Sequence, residues 1–324
     1  MVGRLLHSFY RYAMDKKIIE ISKDGIALSA NRGFLRIHNE EEKNTNDIPL
    51  DDVLAVIISS NNAIISKNII NAITETNGTI LFCGKNYMPA SITLPYSNHW
   101  QNGERIRKQI STSLPLQKSL WKTLIEKKIS NQALVLQWFY SESDKISRLK
   151  QLSKTVKSGD TTNNEATAAQ IYFKALLGKE FVRDRNANNA NILLNYIYIV
   201  LRACVARAVT GAGLLPALGI IHTNKLNPFT LVDDLIEPYR PLADSVVFEV
   251  LNNIGYKHND IITLTPDIKR ELTKIISINL DSAKGCKPVA NSLFDTANSL
   301  AKSYIEKKNL LEIDNFISRD ELIK

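Results

Sequence analysis

Residues 94–104 read LPYSNHWQNGE. One proline, two asparagines and a glycine without apolar periodicity mark a linker, and hydrophobic residues recur differently on its two sides. On the N-terminal side short β-branched runs alternate with turn signals. The runs are KIIEI (Lys17–Ile21), GIALSA (Gly25–Ala30), FLRIH (Phe34–His38), VLAVIIS (Val53–Ser59) and GTILFC (Gly78–Cys83). Lys23-Asp24-Gly25, Asn31-Arg32-Gly33, Asn77-Gly78 and Gly84 separate them, so the pattern predicts strands. One helix is predicted from Ser66 to Thr76, with Ile69, Ile70 and Ile73 on one face. Short strands at this spacing predict a small sandwich or open barrel.

On the C-terminal side the period becomes helical. Residues 105–156 run long without glycine and carry periodic Leu and Ile. Helices are predicted over Glu165–Phe181 and Ile192–Val209. In the second, Leu193, Ile197, Val200, Leu201, Cys204, Val205 and Ala208 form a stripe wide enough for a buried helix. Two more fit Pro266–Ile278 and Val289–Lys307, the first with Thr265 as N-cap and Pro266 at the first helical position. The expected fold is α+β: a small sandwich-like β domain over residues 1–97, then a larger all-α domain over 98–324.

A chain of 324 residues supports two cores. With 44% hydrophobic and 23% charged residues it is a globular and not a disordered sequence. The net charge is +8. Between Glu104 and Lys157 twelve Lys or Arg face four acids, a local excess as large as the charge of the whole chain. This favours a polyanionic partner, although solvated helix faces give the same pattern. The three cysteines, Cys83, Cys204 and Cys286, are odd in number and too far apart for a metal motif, which fits a reduced cytoplasmic protein. No run reaches the roughly 18 apolar residues that cross a bilayer. Arg202 and Arg207 break the longest stretches, and the N-terminus lacks an apolar signal core.

The chemistry concentrates in HTNKLNPFTLVDDLIEPYRP, His222–Pro241. Asp233, Asp234 and Glu237 lie among Leu231, Val232, Leu235 and Ile236. Asn227 and Pro228 read as a helix start, and Pro238 predicts a kink because it cannot donate to the carbonyl of Asp234. Asp234 and Glu237 are three apart, and Asp233 and Glu237 four, so they crowd one face at a cost. Asp233 as a first-turn acid and an Arg240–Glu237 pair would answer that structurally. A divalent cation would answer it more fully, and oxygen ligands with one imidazole suit Mn²⁺ or Mg²⁺. His222 ends GLLPALGIIH, where Gly213, Pro216, Gly219 and His222 recur every three residues. Such a rigid loop would place a ligand or a fixed core contact equally well. Glu165, in TTNNEATAAQIYFKALL, also fits a capping box with Thr162. In FVRDRNANNANILLNY, Arg183 and Arg185 flank Asp184, and arginine grips phosphate bidentately. A surface loop with a helix cap near Asn188 or Asn189 is the structural alternative.

Taken together, EATAAQIYF, RDRNANNANILLNYIYIVLRA, GLLPALGIIH and NPFTLVDDLIEPYRPLAD resemble the CRISPR-associated Cas1 family, the integrases of spacer acquisition. The resemblance is close over residues 160–245, while MVGRLLHSFYRY at the start matches the usual opening strand poorly. It implies a metal triad of Glu165, His222 and Glu237, with Asp234 as a supporting acid. It implies a Mg²⁺- or Mn²⁺-dependent DNA integrase and endonuclease, homodimeric and bridged by Cas2 around a short duplex. The reaction implied is transesterification, in which a DNA 3′-hydroxyl attacks a phosphodiester of the repeat array. Arg183, Arg185, Lys225, Arg240 and the basic stretch 105–157 become DNA-facing candidates. Two other functions use the same residues: a structure-specific DNA nuclease, and a DNA-binding scaffold whose acids are structural.

Overall fold

The computed structural model describes residues 17–84, 89–95, 99–140, 143–184, 186–257, 260–283 and 285–317. The first dozen residues and Arg185 therefore lie outside the described residues.

The predicted runs form strands at the expected places: β1 (Lys17–Ile21), β2 (Ile26–Asn31), β3 (Phe34–Asn39), β5 (Val53–Ile58) and β7 (Thr79–Cys83). Three strands have no counterpart in the sequence reading. They are β4 (Asn44–Pro49), the three-residue β6 (Ala63–Ile65) and β8 (Pro89–Thr93). Two four-stranded mixed sheets result, ordered β1-β5-β7-β8 and β4-β3-β2-β6. Helix α1 (Lys67–Glu75) starts where predicted, with the Ser66 hydroxyl accepting from the Ile69 N–H at 3.4 Å. It buries Ile69 and Ile73 against Val53, Val56, Ile58 and Ile80.

Strand β5 is buried along its whole length. Val53, Val56 and Ile58 face the small N-terminal core, while Leu54 and Ile57 join the core of the helical region. A strand covered on both faces has no polar side to alternate with. That is why VLAVII reads as an uninterrupted apolar run and why the first sheet sits between the two cores.

The helical region comprises α2 (Asn102–Ile110), α3 (Leu114–Phe139), α4 (Asp144–Lys154), α5 (Asn164–Leu176), α6 (Ala190–Gly211), α7 (Thr230–Leu235), α8 (Arg240–Asn253), α9 (Pro266–Thr273) and α10 (Val289–Glu306). Helix α6 is the central one. It passes a length and composition test for crossing a membrane, yet two thirds of that window is buried inside the fold. The Asn189 carboxamide caps it by accepting from the Asn191 N–H at 3.0 Å. Helix α9 begins on the predicted Thr265 cap. The region also holds a small antiparallel sheet ordered β10-β9-β11, built from β9 (Asn279–Ser282), β10 (Gly285–Pro288) and β11 (Asn315–Phe316). It adds strands to a segment read as entirely helical.

Candidate active site

Four elements meet at the site, and each supplies one kind of group. The first is α5. Its opening is capped by Asp160, whose carboxylate accepts from the Asn164 N–H at 2.9 Å and the Glu165 N–H at 3.0 Å. The capping box with Thr162 therefore does not form. Asn163 turns the chain in a left-handed conformation (φ 54°) just before the helix. With the cap supplied from outside, the Glu165 side chain is released, and its Oε1 accepts from the Lys128 ammonium at 2.6 Å.

The second element is the loop that follows α6. Buried Gln109 of α2 fixes it through three bonds: its amide donates to the carbonyls of Leu215 (3.1 Å) and Leu218 (2.9 Å), and its carbonyl accepts from the Leu215 N–H (2.9 Å). Gly219 lies so close to its neighbours that a Cβ would stand 2.5 Å from the His222 carbonyl oxygen and 3.0 Å from Asp234 Oδ2. Only glycine fits there. The loop ends by setting the His222 ring edge-on against Trp121, with centroids 4.9 Å apart. His222 Nδ1 contacts Asp234 Oδ1.

The third is the acidic stretch itself. The helix starts at Thr230, two residues later than Asn227-Pro228 predicts, because Asn227 serves instead to accept from the Phe229 N–H at 3.0 Å. Helix α7 ends at Leu235. A 3₁₀ turn over Glu237–Tyr239 carries Pro238, and α8 starts anew at Arg240. The predicted break at Pro238 thus sets Glu237 on a separate turn from Asp233 and Asp234. Asp233, in the first turn of α7, turns outward to Arg202 (2.7 and 3.0 Å). Asp234 turns inward and is fully buried. Its Oδ2 accepts from the Ile220 N–H at 2.6 Å while Oδ1 meets His222. Burial raises the Asp234 pKa against the pull of His222. The hydrogen bond to Asp234 in turn holds the His222 pKa above its ordinary value. In the neutral ring Nδ1 carries the proton toward Asp234, which leaves Nε2 as the atom able to take a ligand.

Glu237, on the turn, is buried between two cations. Arg240 Nε lies 3.0 Å from Oε1, the pair anticipated in the sequence, and Lys128 Nζ lies 2.5 Å from Oε2. Burial alone would raise its pKa, but Arg240 and Lys128 together hold it below the usual value. Both contacts are at ion-pair distance, and among the described residues Glu237 Oε2 has no partner but the Lys128 ammonium.

The fourth element, α3, has no counterpart in the sequence reading of the site. Lys128 is 8% exposed and bridges Glu165 and Glu237. One turn on, Asn131 donates to the Pro238 carbonyl at 2.8 Å and so fixes the turn. The available signal was position: Lys128 falls on the apolar stripe of Leu124, Ile125 and Ile129, where a solvated lysine has no place. Among the described residues, no three His, Cys, Asp or Glu side chains stand arranged to hold a metal ion as they are, and Lys128 lies between the two glutamates.

Beside Arg240 opens a pocket of about 640 Å³, lined by Arg183, Asn195, Tyr198, Arg202, Asn224 and Arg240 among others. Arg183 donates to Asn191 (2.9 Å) and Asn195 (2.8 Å). The guanidinium groups of Arg183 and Arg240 lie 5.5 and 4.8 Å from the Tyr198 ring centroid. Lys225 is exposed in the loop between Asn224 and Leu226, which line the pocket. Arg240 is mostly committed to Glu237. Within the basic stretch, Lys128 turns into the site and Arg105 donates to the Ala212 carbonyl at 2.8 Å, whereas Lys145, Arg148 and Lys150 are exposed.

The description "CRISPR associated protein Cas1" belongs to the family model that matches residues 19–274. The chain is similar to the CRISPR-associated endonuclease Cas1 of Neisseria meningitidis serogroup C, at 40% identity over 254 residues, which covers 78% of this chain and 81% of that protein. Among solved structures, a casposase bound to integration product shares the fold with a TM-score of 0.74 at 21% identity, covering 91% of this chain and 92% of that one. A Cas6-RT-Cas1–Cas2 complex contains a chain that matches with a TM-score of 0.70 at 17% identity, covering 92% of this chain and 36% of that one.

Proposed function

This chain belongs to the CRISPR-associated Cas1 family, and from that membership we propose that it joins DNA 3′-hydroxyl ends into a repeat array by metal-dependent transesterification. The observation that carries the reading is the meeting of Glu165 and Glu237, from separate elements, on one cationic point, with the imidazole tethered by Asp234 held within the electrostatic reach of both. Two hard oxygens and a nitrogen suit Mg²⁺ or Mn²⁺, and the buried Glu237 Oε2 faces no donor but the Lys128 ammonium. Glu165, His222 (through Nε2) and Glu237 would hold such an ion. When bound it supplies Lewis-acid polarisation of a phosphate and stabilises charge on the attacking or leaving oxygen.

The chain's own groups do the positioning. Asp234 fixes the ring of His222 through Nδ1. Arg240 balances Glu237 and keeps it aimed from the turn. The pocket with Arg183 and Arg202 offers planar guanidinium donors for phosphate oxygens next to the site. Bond number is conserved in transesterification, so alignment is the main task. No serine or cysteine nucleophile is required. Partners proposed on the same footing are a short DNA duplex, a second copy of the chain, and Cas2.

The test is strand joining on a supercoiled repeat-bearing plasmid. Glu165→Gln and His222→Asn should each lower joining by on the order of a hundredfold or more, as for loss of one preorganised charge-stabilising group, with unchanged circular dichroism. Joining at the wild-type rate by either variant would refute the reading. Nicking without joining by the wild type would favour the structure-specific nuclease. One observation favours a DNA-binding scaffold: the two glutamates are already neutralised by Lys128 and Arg240. That reading gains if Mn²⁺ fails to raise the melting temperature.

A further inference from the structure

We propose that Lys128 is a positioning residue whose ammonium holds Glu165 and Glu237 together at the point a divalent ion would take, so that the ion binds by displacing it. The inference depends on the reading of those two glutamates as ligands.

Three observations support it. First, one buried nitrogen is bracketed by carboxylate oxygens from two elements, 2.6 Å from Glu165 Oε1 and 2.5 Å from Glu237 Oε2. Charge-assisted contacts this short bring the oxygens close enough to share one centre. Second, the charges balance. Glu165 and Glu237 carry two negative charges, and Lys128 and Arg240 two positive ones. Adding a dication while both cations stayed in place would leave the buried cluster two charges in excess, which a low-dielectric site penalises heavily. One cation has to leave. Third, only one can. Arg240 lies over the Tyr198 ring, with its guanidinium carbon 4.8 Å from the centroid, and is anchored at the start of α8. Lys128 carries its charge on a flexible four-carbon stem and can swing its head out while α3 stays fixed by the Asn131–Pro238 bond.

Without the ammonium, the two carboxylates would repel and part. Lys128 therefore preassembles the site at the cost of competing for it. The apparent affinity for an ion is reduced by the fraction of molecules in which the competitor has moved away.

The experiment is Mn²⁺ titration of the full-length chain, read by the electron paramagnetic resonance signal of free Mn²⁺ and by thermal denaturation. Lys128→Met should melt lower than the wild type without Mn²⁺ and gain more in melting temperature on Mn²⁺ addition. Because the dication itself offsets the carboxylate repulsion once bound, lost competition outweighs lost preassembly, and the variant should bind Mn²⁺ up to roughly tenfold more tightly, the factor for a competitor present nine times in ten. Should the methionine variant fail to fold, Lys128→Gln, whose amide still donates to a carboxylate, carries the same expectation. Equal or weaker Mn²⁺ binding by the variant overturns the proposal while leaving the ligand assignment standing, provided Glu165→Gln weakens binding in the wild-type background. Undiminished Mn²⁺ binding by Glu165→Gln/Lys128→Met removes the ligand assignment itself, and the proposal with it.

Discussion

Asp244 lies on α8 one turn beyond Arg240 and is 2% exposed. The Tyr198 hydroxyl donates to it, and Tyr198 in turn lies under both Arg183 and Arg240. Burial pushes the carboxyl up to about 7 even though the Tyr198 hydrogen bond and the Arg240 charge both favour its ionised form. The unfolded carboxyl releases its proton near 3.9. Between those values the folded state binds more protons than the unfolded one, so this residue's contribution makes stability fall as pH rises, by on the order of 3–4 kcal/mol across the window. Asp244→Asn keeps a partner for Tyr198 and removes the titration. Urea denaturation at pH 5 and pH 7.5 should show a smaller loss in the variant than in the wild type. An equal loss in both would place the pH dependence elsewhere.

At the scale of elements, the site depends on α3 as much as on the acids. Asn131 and Lys128 are three residues apart, so they share the face that meets the turn over Glu237–Tyr239. On that turn the Pro238 carbonyl is served by a side chain from another helix. Asn131→Ala strands that carbonyl in the interior, so we expect a loss of about 1–3 kcal/mol in urea denaturation and, because Glu237 rides on the same turn, a fall in Mn²⁺ affinity. A variant within 0.5 kcal/mol of wild type (roughly the scatter of surface changes) would show that the turn holds without this bond. How much of this was legible follows from the same physics. Acids within an apolar run stand out, and Asp234 and Glu237 were visible for that reason. Lys128 was overlooked among twelve basic residues in the same stretch because only its place on the apolar stripe of α3, which burial then bears out, sets it apart. Glu165 was ambiguous because a first-turn glutamate suits a cap, and the true cap, Asp160, lies five residues away and is recognisable only once the chain has turned at Asn163. The missed β4 is polar and mostly exposed. As an edge strand it pairs with β3 through its backbone and an Arg36–Asp47 ion pair at 2.8 Å, neither of which leaves a hydrophobic alternation. Strands of two to four residues, β6 and β9 to β11, are too short to show a period.

For the whole molecule, the β region and the helical region are joined by more than the shared apolar face of β5. Glu20 of β1 accepts from Lys269 of α9 at 2.6 Å, from Tyr196 of α6 at 3.0 Å and from Ser59 at 2.7 Å. The side chains of Glu20 and Lys269 are 15% and 6% exposed. A single carboxylate thus ties the first sheet to the central helix and to a helix about 250 residues further along the chain. Removing one partner of a buried pair costs more than the pair contributes, because it leaves a charge without its counter-charge. Lys269→Met should therefore lower stability by about 2–4 kcal/mol, the lower part of that range allowing for the residual solvent at Glu20. Glu20→Gln/Lys269→Met should recover most of the loss, since neither introduced side chain is charged and the introduced carboxamide can accept from one of the Tyr196 and Ser59 hydroxyls while donating to the other. Because the network spans both regions, the single variant should also become more sensitive to proteolysis between β8 and α2, over residues 94–101, under native conditions. Urea denaturation of the single and double variants decides the point. If the double variant is as unstable as the single one, packing at Lys269 rather than its charge joins the two regions.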